Sequence, residues 1–160
     1  MKKKTANVGL CDLLSIFVLK STILEIMAIL TTKFIGNGRT HTVYNATSKE
    51  ITTDVDKSNG GLGENPNPVY LLCSSLAACA LSVMGMAAKK MGVDASGCWA
   101  EVTDVEEDTN TYEVTHIDIT FHLKAEFEPA LRKRLEAFSH KACYVGNTLK
   151  AEKNFTFVYE

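Results

Sequence analysis

The sequence has no C-x-x-C pair, no two histidines at metal-ligand spacing and no even set of cysteines, and each absence removes a class of protein. Five cysteines, at positions 11, 73, 79, 98 and 143, cannot all pair within one chain. The pattern argues against a disulfide framework or structural zinc and for reduced thiols in a cytoplasmic setting. Proline is scarce, at 3 in 160 residues, and no repeat or low-complexity tract is present, which excludes disordered and fibrous classes. Charge of one sign is lacking too. Lys and Arg number 17 against 19 Asp and Glu, a net charge of −2, and beyond Lys2 to Lys4 there is no long acidic or basic run. Such a chain offers no field to hold a phosphate backbone, so nucleic acid is not an expected partner. Neither the G-x-G-x-x-G of a dinucleotide site nor the G-x-S-x-G of a hydrolase occurs.

Two apolar stretches raise the question of a membrane. Residues 8–30 follow MKKKTAN in the manner of a signal peptide or anchor, but Asp12, Lys20 and Glu25 interrupt them. A charge costs about 2.5–3.5 kcal/mol at a bilayer centre. No A-x-A-like cleavage site follows. Met27 reads as an alternative start, which makes residues 1–26 an N-terminal extension and residues 27–160 a single domain. Val69 to Ala88 is a second run, without a charge, yet Ala, Ser, Gly and Cys make up about half of it. Small residues lower its transfer energy and let a helix pack closely, so it reads as a buried central helix and not as a membrane span.

The coarse pattern is α+β. Strands are expected over Met27 to Val55, with a turn at Gly36-Asn37-Gly38. A Gly- and Asn-rich loop, Lys57 to Asn67, leads to Asn67-Pro68, an N-cap and a first-turn proline. The long helix runs to about Met91, with Lys89 and Lys90 in its last turn and Gly92 as its stop. Two strands follow, over Cys98 to Val105 and Tyr112 to Lys124. In the second, Ile117, Ile119, Phe121 and Leu123 share one face. A second helix opens at Pro129 with an apolar stripe of Leu131, Leu135, Phe138 and Ala142, Gly146-Asn147 makes a turn, and Asn154 to Glu160 alternates as a closing strand. The order βββαββαβ builds an antiparallel sheet with one long and one shorter helix.

Most polar candidates have ordinary readings. His41, His116, His122 and His140 fall on polar faces, and no metal site is expected. Cys73 lies six residues before Cys79, about 240° around a helix, and so packs elsewhere. Cys79, in the middle of the long helix, lies beyond the reach of the dipole at its N-terminus, and a reactive thiol there needs an imported cation. Of the three arginines, 39, 132 and 134, Arg39 alone stands in a Gly-rich strand turn, GNGRT, away from a charged helical face. Its guanidinium suits both thiolate stabilisation and polarisation of a peroxide oxygen.

At this point two segments carry a resemblance. NPVYLLCSSLAACAL resembles the N-P-E-x-L-(x)-A-A-C helix of the OsmC/Ohr family, the osmotically inducible and organic hydroperoxide resistance proteins, and ACYVGNTLK is similar to its C-P-V-S-x-x-L segment. The spacing of Cys79 and Cys143 and the order of elements agree over roughly residues 27–160. The resemblance implies a cytoplasmic thiol peroxidase folded as an intertwined homodimer. It assigns Cys79 as the peroxidatic thiolate, Cys143 as the resolving thiol and, by position, Arg39 as the family arginine. No resident cofactor is implied, only a small peroxide, organic in preference to hydrogen peroxide, and an external thiol reductant, for instance a dithiol such as a lipoyl group. Two departures stand out: Val69 replaces the glutamate after the first Pro, and Tyr144 replaces the Pro after the second Cys. Glu64 and Tyr70 are the residues near enough in sequence to stand in for that glutamate. A different class of reading is a non-catalytic OsmC-like dimer that binds a small apolar ligand.

Overall fold

A computed structural model of the chain describes residues 28–160, so the extension, the Met27 start and Cys11 lie outside the described residues. These residues fall into two compact units, one ending at Asn67 and one comprising Pro68–Glu160.

The first unit is a three-stranded antiparallel meander: β1 (Leu30–Gly36), β2 (Arg39–Tyr44) and β3 (Lys49–Asp54). Its first turn needs left-handed backbone at Gly36, Asn37 and Gly38, with φ of 97°, 52° and 70°, which glycine and asparagine supply at low steric cost. The strands are rich in threonine, and hydroxyl pairs cross both ladders: Thr32 with Thr42 at 2.9 Å and Thr40 with Thr53 at 2.6 Å. After β3 the chain makes a short 3₁₀ turn, Lys57–Asn59, and folds back along the end of the sheet.

The second unit begins with the long helix α1 (Pro68–Lys90). Lys89 and Lys90 lie in its last turn, and Gly92 at φ 75° lets Val93 donate back to the Ala88 carbonyl at 3.0 Å, as the terminal residues lead one to expect. Strands β4 (Trp99–Asp108) and β5 (Glu113–Leu123) form a hairpin, followed by α2 (Pro129–Lys141), the short α3 (Tyr144–Thr148) and β6 (Glu152–Tyr159). The predicted inward face of β5 is fully covered, with Ile117, Ile119, Phe121 and Leu123 all buried, and Phe121 contacts Phe155 and Phe157 of β6 at 5.1 and 5.3 Å between ring centres. The core is closed by Cys73, Leu76, Ala77, Ala80, Met84, Ala87 and Ala88 of α1 and by Leu135 of α2. Among the described residues α1 is the one helix long and apolar enough to cross a membrane, but it buries one side as a core helix does, and much of its uncovered side is small or polar: Ser74, Ser75, Ala78 and Ser82. The expectation of a buried central helix holds for one face within this unit.

Three details differ from the sequence reading. The sheet is antiparallel except for β6, which runs parallel to β5 from His116 opposite Glu152 to Leu123 opposite Tyr159. The intervening α2 and α3 return the chain to the end where β5 began, and a crossover of that length places the next strand parallel. Gly146-Asn147 lies inside α3 instead of in a turn. In α2 the covered stripe turns toward Leu135 and Ser139, both fully buried, and leaves Phe138 exposed. Ser139 occupies the core side because its hydroxyl is satisfied locally, donating to the Glu136 carbonyl at 2.7 Å.

The outer face of this sheet carries a histidine clamp. His122 stacks on Trp99 with ring centres 3.8 Å apart, and its two ring nitrogens face Glu160 at 2.8 Å and Glu101 at 3.2 Å. Burial works against the charged ring, but the two carboxylates together outweigh it and raise the His122 pKa above the ordinary histidine value; the Asp118 hydrogen bond does the same for His116. A raised pKa gives stability that is complete below about pH 6.5 and is lost as pH climbs through the folded-state value. Thermal unfolding followed from pH 6 to 8.5 is therefore expected to show a falling midpoint that is flatter in a His122→Gln variant.

Candidate functional site

The second unit brings two of the three sequence-predicted site residues together. Helix α1 places Cys79 three residues after Leu76, and the junction of α2 and α3 delivers Cys143 to the same place. Cys143 is the N-cap of α3. Its sulfur accepts the Gly146 N–H at 3.2 Å, its thiol lies 4.0 Å from the Leu76 carbonyl, and the Cys79 thiol is near enough to act on it electrostatically. A glycine at 146 is what permits this closeness, since a Cβ there would stand 3.3 Å from both the Cys143 sulfur and the Leu76 side chain. The two thiols are unequal. Cys79 is half-buried and Cys143 fully buried. Burial pushes the Cys143 thiol pKa up, the Gly146 N–H pulls against that, and the neighbouring Cys79 adds to the rise.

A groove of about 300 Å³ lies along the next turns of α1, lined by Met86, Ala87, Phe138, Ala142 and Tyr144 among others, with Lys90 and Arg134 as its charged residues. Val83, one turn beyond Cys79, belongs to its wall, as do both neighbours of Cys143. This explains the exposure of Phe138 and of Tyr144, which stands where the family motif has Pro.

The third predicted residue, Arg39, lies in the first unit as the first residue of β2, directly opposite Asp54 at the end of β3. Its guanidinium is held in a fork: Nε donates to Asp54 Oδ1 at 2.5 Å and Nη2 to Asp54 Oδ2 at 2.8 Å, and Nη2 also reaches Glu64 at 2.6 Å. Asp54 is fully buried, and the Arg39 hydrogen bonds hold its pKa well below the usual carboxylate range. Glu64, the acid singled out near the loop's end, does contact Arg39, whereas Val69 packs against the core of the second unit. Asp54 is the residue that sequence reading missed. The signal was available: a hairpin that pairs Tyr44 with Lys49 also pairs Arg39 with Asp54 five positions along each arm.

The other described cysteines are packing residues. Cys73 is fully buried, with burial raising its pKa, and Cys98 is half-buried against the core. Among the described residues no cluster of His, Cys, Asp and Glu is suited to hold a metal.

Among solved structures, the chain is similar to a candidate osmotic stress induced and detoxification response protein of Psychrobacter arcticus 273-4, at 26% identity and a TM-score of 0.76, over 84% of this chain and 96% of that one. It shares its fold with an OsmC-like protein of Mycoplasma pneumoniae, at 21% identity and a TM-score of 0.65, over 81% and 96% of the two chains. It shares it also with an organic hydroperoxide resistance protein of Elizabethkingia anophelis, at 15% identity and a TM-score of 0.65, over 82% and 94%. No curated protein matches the chain. The family model described as OsmC-like protein matches residues 61–158, a span that holds α1, Cys79, Cys143 and all but the last residue of the second sheet, and the chain thus belongs to the OsmC-like protein family.

Proposed function

We propose that the protein is a cysteine-based peroxidase that reduces organic hydroperoxides in defence against oxidative stress. The observation that carries the reading is the nearness of a half-buried Cys79 to a fully buried Cys143 that caps the following helix. Family membership and the presence of a hydroperoxide resistance protein among the structural neighbours add support. In the proposed cycle the Cys79 thiolate attacks the distal peroxide oxygen. An S–O bond forms as the O–O bond breaks, and the departing alkoxide takes a proton and leaves as the alcohol. The Cys143 thiolate then attacks the Cys79 sulfenic acid, an S–S bond forms, and the hydroxyl takes up a proton from solvent and leaves as water. Two electrons and two protons from an external dithiol, such as a lipoyl group, restore both thiols. Arg39 is assigned the electrostatic role, favouring the thiolate and the developing negative charge on oxygen. The apolar groove suits an organic peroxide better than hydrogen peroxide. A cytoplasmic homodimer is part of the same proposal.

The test is mass spectrometry of reduced protein given one equivalent of cumene hydroperoxide. The wild type is expected to form the Cys79–Cys143 disulfide and Cys143→Ser to accumulate oxidised Cys79. The groove also suits the second reading, a non-catalytic binder of a small apolar ligand. Thiols that stay reduced through many minutes of excess peroxide select it. A further expectation follows from the buried resolving thiol. Its attack requires the thiolate, and its pKa lies above the ordinary thiol value, so disulfide formation in a single turnover accelerates as pH rises from 7 toward 10. A flat stopped-flow profile speaks against Cys143 as the attacking group.

A further inference from the structure

Among the described residues of the first unit, Asp54 is the most heavily hydrogen-bonded carboxylate. Besides the two bonds from Arg39, its Oδ2 accepts the backbone N–H of Glu64 at 2.8 Å, that of Asn65 at 3.0 Å, and the Asn65 side-chain amide at 3.2 Å. A buried carboxylate with this many donors is fixed in place, and it fixes the plane of any guanidinium that pairs with it. The loop that brings these donors is itself built for the approach. Gly63 donates to the Val55 carbonyl at 3.2 Å, and a Cβ on Gly61 would stand only 1.9 Å from that oxygen. Glu64 differs in kind, because its side chain is 65% exposed and its bond to Arg39 competes with water.

We propose that Asp54 is a positioning residue for Arg39, fixing the plane of its guanidinium from the end of β3. The inference rests on the peroxidase reading. Both carboxylates engage the Nε and Nη2 side of the guanidinium, and Nη1 takes part in none of these bonds. With the plane set by Asp54, Arg39 needs no reorganisation when charge develops on the oxygen. Glu64 adds a second, exchangeable hold.

The experiment is a double-mutant cycle on the second-order rate at which cumene hydroperoxide oxidises Cys79, measured in wild type, Asp54→Asn, Arg39→Ala and the double variant. Asp54→Asn is expected to slow the reaction by about tenfold to a hundredfold in the wild-type background, the range for an orienting partner behind a functional group, and to change it little in the Arg39→Ala background. A purely structural Asp54 lowers both rates alike, and that result, or no fall in either background, overturns the proposal. An independent measurement on the wild type needs neither activity nor a stable variant: the Arg39 Nε–H is expected to give a slowly exchanging nuclear magnetic resonance signal. Exchange as fast as that of Arg134 overturns the clamp. If wild-type Cys79 does not react with peroxide, the peroxidase reading fails by itself, and the exchange rate alone decides whether Asp54 holds Arg39.

Discussion

Replacing Cys79 with Ser is expected to lower dithiol-dependent consumption of an organic hydroperoxide by about a thousandfold or more, the scale on which loss of a covalent nucleophile is felt. A serine hydroxyl is nearly isosteric with the thiol, and Cys79 is only half-buried, so the packing of α1 is retained. What is lost is the polarisable, nucleophilic sulfur that can accept oxygen. The companion variants sharpen the result. Cys143→Ser keeps the first oxidation but leaves Cys79 without its partner, so one equivalent of peroxide is consumed and the oxidised sulfur accumulates or is carried further up the oxidation ladder under excess peroxide. Cys98→Ser is expected to leave turnover unchanged. Steady-state assays and peptide mass spectrometry on the three variants check these outcomes. Turnover by Cys79→Ser comparable to wild type removes Cys79 from the mechanism.

The largest effect on stability is expected at Phe121. Its side chain is fully buried at the centre of the second sheet, and it packs on the rings of Phe155 and Phe157 of the neighbouring strand. Truncation to alanine removes the transfer energy of the ring, its aromatic contacts and the support of two further rings, a cost of about 3–5 kcal/mol. Against a total of about 5–15 kcal/mol for an ordinary domain, this is a large share. Urea denaturation is expected to show a lower midpoint with little change of slope. Trp99→Ala is the control. Trp99 is larger, but it is 47% exposed on the outer face and stacks only against His122, so its loss is expected to cost much less.

Local chemistry explains which elements could be read from the sequence. Helix α1 was fully specified by its own residues: a proline for the first turn, two lysines for the last and a glycine beyond it, and its observed span of Pro68–Lys90 follows them closely. Strand β5 was equally plain, because its strict alternation is the pattern of a one-sided sheet. The parallel docking of β6 was not legible, since nothing in the alternation of Phe155, Phe157 and Tyr159 encodes direction; that is set by the length and course of the crossover. Helix α3 was hidden because its cap is a cysteine sulfur, a weak acceptor seldom read as a helix start. The adjacency of Cys79 and Cys143 came from family resemblance, not from local pattern. The partner of Arg39 depended on strand register, information that lies between segments and not within either of them.

That register has a consequence for how the first unit folds. The facing rows of β2 and β3 are chemically repetitive, with Thr40, Thr42, Thr52 and Thr53 along them, and a polar ladder of this kind distinguishes poorly between correct pairing and a slip. A shift of one residue would set most hydroxyls opposite other tolerable neighbours, but it would withdraw the guanidinium from Asp54 and leave a buried carboxylate without its cation, an arrangement proteins do not sustain. The same ion pair that would orient an arginine for chemistry thus acts as the key to strand alignment, penalising mispaired hairpins that the threonines alone would admit.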